Sequence, residues 1–179
     1  MLEPASRSFR LRRALLALAA CAALGAASAR AEQNEPNLPA RLVVTGEVAA
    51  ALDLDGAALG SMPRVEWTQV EKDGATRRYA GVDLATILTK AGAPIRGGLR
   101  AADAGRYLHA QARDGYVAVF ALAEFDKGRF VVVDRMDDAP LFPSSGPLQL
   151  AALSDEPRRT RWVKRLTRLE LRRSQPTPD

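Results

Sequence analysis

Residues 65–94 read VEWTQVEKDGATRRYAGVDLATILTKAGAP, and the stretch changes period halfway along. Val65, Trp67, Thr68 and Val70 are β-branched or aromatic, which favours a strand. Asp73-Gly74 is a hairpin-type turn pair, and Arg77 to Tyr79 returns as a second strand. From Asp83 onward the pattern is helical. Leu84, Ile87 and Leu88 share one face at i, i+3 and i+4, and Asp83 suits the N-cap. Gly92 suits the position just past the helix end, and Pro94 bars its continuation.

Upstream, Leu42 to Gly46 reads as a first strand. Ala49 to Leu59 fits a short helix or a poorly formed strand, with Asp55-Gly56 as a turn inside it. Downstream, Arg106 to Ala112 and Tyr116 to Phe120 read as strands joined at Asp114-Gly115. Leu122 to Phe125 fits one helical turn. Phe130 to Val133 is a continuous apolar run, the pattern of a strand buried on both faces. A turn-rich loop from Pro140 to Pro147 precedes a strand at Leu148 to Leu153, and Arg161 to Leu171 reads as a long, basic last strand. Strands outnumber helices and do not alternate with them. The expected class is therefore α+β, mainly β, rather than a doubly wound parallel sheet.

The chain has 179 residues, 26 Lys+Arg, 21 Asp+Glu and a formal charge of +5. Residues 1–31 hold five of the arginines and one acid, so the remainder carries 21 basic and 20 acidic groups. A nearly neutral body gives no electrostatic case for a nucleic-acid partner. The same 31 residues are ordered as a secretory signal peptide. Arg7 to Arg13 is the basic region, Ala14 to Gly25 the apolar region, and Ala29-Arg30-Ala31 the small-x-small cleavage site. The expected organisation is a signal peptide over 1–31, a Pro-containing tether over 32–40, one domain over 41–173 and a tail over 174–179. The expected location is the periplasm. Leu18-Ala19-Ala20-Cys21 also has the form of a lipobox, and lipidation at Cys21 is the alternative. No later stretch is long and apolar enough to span a bilayer. Cleavage after Ala31 removes the only cysteine, and with it disulfides and thiolate chemistry.

Generic catalytic motifs are missing: no phosphate loop, no G-x-G-x-x-G, no H-E-x-x-H, no nucleophile elbow. His109 alternates with Tyr107 and Gln111 on one strand face, opposite Leu108, Ala110 and Ala112. The apolar face is the core face, and the His109 face meets solvent or a cleft. Arg113, Asp114 and Tyr116 surround a tight turn. That turn is a structural hairpin, or a loop whose amides and Arg113 meet an anion. The basic run from Arg158 to Arg173 is a charged edge strand, or it binds an anion near Arg161 and Lys164. Its alternation is imperfect, which predicts a twist or bulge near Leu166.

In chain order these residues form a series: Leu42-x-Val44-x-Gly46, Met62-Pro63-x-Val65 and Tyr79-Ala80-Gly81-Val82-Asp83-Leu84 come first. Ala112-Arg113-Asp114-Gly115-Tyr116, Leu122-Ala123-Glu124-Phe125, Gly146-Pro147-Leu148 and Arg161-Trp162-Val163-Lys164 follow. The series resembles the molybdopterin-binding oxidoreductase domain of the sulfite oxidase family, closest to its small exported single-domain members. The resemblance covers residues 41–171. It implies a mainly β fold, a molybdopterin cofactor whose metal is held by a protein thiolate, basic side chains on the pterin phosphate, and a separate redox partner. The thiolate is expected just after the Val65-to-Val70 strand. This chain has Glu71 there, followed by Lys72, Asp73 and Gly74. The resemblance with that departure implies a domain that binds a small anionic or pterin-like ligand without standard molybdenum-thiolate catalysis. His109, Arg113, Asp114, Tyr116, Arg161 and Lys164 are the candidate ligand-binding residues. An active molybdenum oxidoreductase with an atypical ligand set and a non-catalytic periplasmic interaction module are the alternatives.

Overall fold

The computed structural model describes residues 38–71, 73–127, 129–153 and 161–174. Contacts divide the chain into Met1–Pro36 and Asn37–Asp179, and the described residues all belong to the second unit. The expected signal peptide, most of the tether and all of the tail except Ser174 lie outside the described residues.

The elements run β1 (Arg41–Gly46), β2 (Leu52–Asp55), α1 (Gly56–Gly60), β3 (Arg64–Val70), β4 (Thr76–Asp83), α2 (Leu84–Lys90), β5 (Arg106–Ala112) and β6 (Val117–Ala121). They continue with α3 (Glu124–Lys127), β7 (Arg129–Met136), β8 (Ala139–Pro140), β9 (Gln149–Leu153) and β10 (Leu166–Arg173). Two sheets result. One has the order β2-β1-β10-β5-β6; the other runs β3-β4-β7-β8, with β9 also paired to β7. The β1–β10 pair is parallel, and the other ladders are antiparallel.

The stretch quoted first folds as its periods require. β3 and β4 pair from Arg64↔Val82 to Val70↔Thr76, and Gly74 takes a positive φ of 81° in the turn. α2 follows β4 without a gap. Asp83 caps it by accepting from Ala85 N–H, and Gly92 takes φ 78° just beyond Ala91. Ala49 to Leu59 contains both of the elements its sequence allowed: β2, then α1 capped by Asp55, which accepts from Ala58 N–H at 2.7 Å.

The main core lies where the sheets face each other. Leu42, Leu108, Phe120, Leu169 and Leu171 come from the first sheet, and Val82, Val132 and Leu150 from the second. Leu84, Ile87 and Leu88 of α2 join them, all fully buried. A smaller cluster covers the other face of the second sheet. It holds Tyr79, Val131, Val133, Leu141, Ala151 and Trp162, with Trp67 packed against them. β7 therefore contributes apolar side chains to both clusters, as a continuous run such as Phe130–Val133 demands.

One expectation fails. Arg161 to Leu171 is not a single strand: β10 begins only at Leu166. Val163 forms an isolated bridge to Leu150, and Arg165 breaks the extended chain with a left-handed φ of 53°. β10 is also not an edge, since it lies between β1 and β5. Arg168, Glu170 and Arg172 tolerate that place because they alternate with buried leucines and share the outward face. Leu166, Leu169 and Leu171 are buried beneath them. The expected irregularity near Leu166 is present as a register shift between Leu166 and Arg168.

Candidate functional site

The second cluster ends in an open cleft. Tyr79 is its centre: its ring stacks on Trp67 at 5.2 Å and meets Trp162 edge-on at 5.9 Å. Trp162 is fixed from behind by its indole N–H, which donates to the Ala152 carbonyl at 3.3 Å. The Tyr79 hydroxyl donates to Glu71 Oε1 at 2.7 Å. Beside these groups lies a cavity of about 180 Å³. Tyr79 and Trp162 form aromatic wall, Glu71 and Gln149 supply acceptors and donors, and Arg77 and Lys164 supply positive charge. Gln149 is a buried polar side chain, only 4% exposed, and it lines this cavity. Phe142 stands at the cavity with 62% of its surface exposed.

The two cations of this cleft differ. Arg77 Nη1 donates to Asp137 Oδ2 at 2.9 Å. Asp137 also accepts from Arg78 N–H, and this bond, then Arg77, holds its carboxyl below the usual value. Lys164 makes no ion pair with a carboxylate among the described residues. It is exposed and set at the turn that Arg165 closes.

The structure separates the six residues expected from sequence. Lys164 alone lines the aromatic cleft. Arg113 opens onto a second, shallower cleft of about 500 Å³ with Arg41 and Arg168. Asp114 forms the expected turn, accepting from Tyr116 N–H at 3.0 Å, and Tyr116 is 47% exposed. Arg161 is engaged elsewhere: it pairs with Glu124 at 2.6 Å, with its guanidinium 4.7 Å from the Phe120 ring centre. His109 lies on the outward face of the first sheet, between Glu170 of β10 and Val119 of β6. Its Nδ1 is buried and makes no hydrogen bond. Tyr79, Trp162, Gln149 and Arg77 were not singled out as ligand residues. Nothing local in sequence marks Gln149, which lines the cleft at the start of β9.

The position where the resemblance expects a metal-ligating thiolate falls in this cleft wall, at Glu71. Its donor set does not suit a thiolate-held molybdenum. The side chain offers hard oxygens, one of them already bound by a phenol. The one sulfur in the lining is the Met136 thioether, a neutral and weak ligand. Among the described residues no group of three or more His, Cys, Asp or Glu side chains gathers as a metal site.

No family model matches the chain, and no curated protein matches it in sequence. Among solved structures, the fold matches the sulfane dehydrogenase SoxCD from Paracoccus pantotrophus, with a TM-score of 0.58 and 20% identity. The match covers 74% of this chain and 38% of that one. The chain thus spans less than half the length of this neighbour. At such low identity the likeness is one of fold: a mainly β, α+β domain of the sulfite-oxidase type. Among the described residues no helix is long and apolar enough to cross a membrane.

Proposed function

We propose that this chain is an exported, oxidoreductase-like domain that binds a planar, anionic, pterin-like ligand in the aromatic cleft, without thiolate-based molybdenum chemistry. One observation carries the reading. Glu71, at the position expected for the ligand thiolate, lies in a cleft walled by Tyr79 and Trp162 and bordered by Lys164. Aromatic rings favour a flat heterocycle by stacking. A carboxylate and a carboxamide suit the amino and ring N–H edge of a pterin, since both accept N–H bonds. Lys164, which has no carboxylate partner among the described residues, suits a phosphate or carboxylate on the ligand.

The resemblance and the fold match support the class, and the donor chemistry of Glu71 supports the absence of a thiolate centre. The leader-like order of residues 1–31 supports export to the periplasm. Titration of the purified chain with a phosphorylated pterin, read by tryptophan fluorescence, tests the binding. The expected result is a saturable change, because Trp162 lines the cleft. No saturable change in fluorescence, with no heat of binding in calorimetry, contradicts it.

A further inference from the structure

We propose that β6 is a self-pairing edge: two copies of this chain join antiparallel along Val117 to Val119, about a two-fold axis at Ala118. The proposal is independent of the ligand reading above.

β6 ends the first sheet and, among the described residues, pairs with β5 alone. Hydrogen bonds at its two ends fix which backbone groups point outward. Ala112 N–H donates to the Tyr116 carbonyl at 2.9 Å, and Leu122 N–H to the Arg106 carbonyl at 3.0 Å. Between them the register is unbroken from Gln111↔Val117 to Tyr107↔Ala121. Alternate residues of an antiparallel ladder bond inward. Ala118 and Phe120 therefore bond to β5, while the N–H and C=O groups of Val117, Val119 and Ala121 point away from the sheet. Ala121 N–H is taken by Glu124 Oε1 at 2.9 Å, which confirms this parity and closes that end of the edge. Val117 and Val119 remain, and among the described residues nothing bonds to their outward groups.

This set of groups is its own complement. Rotation about Ala118 sets Val117 of one copy opposite Val119 of the other, and the reverse. Each such pair exchanges two backbone hydrogen bonds, so the outward groups of Val117 and Val119 in both copies are all used. The register that would centre on Val119 instead needs Ala121 N–H, which Glu124 occupies. Val117 and Val119 are 38% and 56% exposed and stand on the same face, so the pairing also joins four valines.

Charge favours the same partner. β2 carries Asp53 and Asp55, β3 carries Arg64 and Glu66, and β8 ends in Pro140. These are the usual guards against edge pairing. β6 reads VAVFA and has none, so two copies approach it without like-charge repulsion. The contact is short, which places it among small, weak interfaces and predicts a concentration-dependent dimer.

Sedimentation velocity of the purified chain over a dilution series is the test. The expected result is a dimer that dissociates on dilution. Val119→Lys sets an ammonium against Val117 of the other copy and should raise the dissociation constant by at least about tenfold. Val117→Pro removes one outward N–H at a position where an edge strand accepts proline, and should do the same. A monomer at every concentration, or a dimer unmoved by both substitutions, overturns the proposal. Amide exchange on the unsubstituted chain gives a reading that needs no variant. Val117 and Val119 should become protected as concentration rises, and fast exchange throughout overturns the pairing.

Discussion

Arg161 and Lys164 stand three residues apart and use their charges differently. Arg161 is held by Glu124 and by the Phe120 ring, whereas Lys164 faces the aromatic cleft without a carboxylate partner among the described residues. Lys164→Ala should weaken phosphopterin binding about tenfold or more, since a bond to a charged group is worth about 1.5–3 kcal/mol. Arg161→Ala should leave that binding unchanged and lower stability by about 0.5–1 kcal/mol, the scale of an exposed pair with a cation–π contact. Fluorescence titration and urea unfolding of both variants separate the two roles. Glu170 gives a test by pH. Its bond from Arg172 is the main cause holding its carboxyl below the ordinary 4.5, with the His109 and Arg168 charges adding to it. The contribution of a carboxyl depressed on folding is present above its unfolded value and is lost as pH falls through the folded one. Glu170→Gln should therefore flatten the loss of stability below pH 4.5, read as unfolding midpoint against pH. At this scale the alternation of β5 was legible, because Leu108, Ala110 and Ala112 are all buried as their spacing required. The fate of Arg161 was not, because the left-handed Arg165 breaks the alternation and no glycine marks the place.

β4 shows how an element depends on one missing side chain. A Cβ on Gly81 would stand 2.2 Å from the Val132 carbonyl oxygen, at the irregular register between β4 and β7. Gly81→Ala should cost about 1–3 kcal/mol by forcing the two strands apart. A lowered urea midpoint with an unchanged far-UV spectrum is the expected result. The hairpin and the helix after it were plain in sequence, because turn residues, cap and apolar spacing all agreed over one short stretch. β10 misled for a physical reason. A basic strand suggests an edge, yet charge on one face says nothing about neighbours within the sheet. The buried Leu166, Leu169 and Leu171 allow it a central place, and β6, which bears no charge, is an edge.

Across the described domain, two sheets and three short helices enclose the main core, and a second cluster on the outer face of one sheet supports the aromatic cleft. The fold class was legible because strand signals were strong and did not alternate with helices. The cleft was not, because the β3–β4 hairpin with Glu71 and Tyr79, Gln149 and Trp162 come from three separate places in the chain and meet through the β4–β7–β9 pairing and the Leu150–Val163 bridge. The resemblance led to Glu71 as the position where a thiolate was expected, and Glu71 lines the cleft. The most direct measurement is molybdenum and pterin per polypeptide, on the full chain, residues 1–31 included, expressed in a host that makes molybdenum cofactor. The account predicts bound pterin with molybdenum far below one atom per chain. Molybdenum near one per chain, or a chain without pterin, would contradict it.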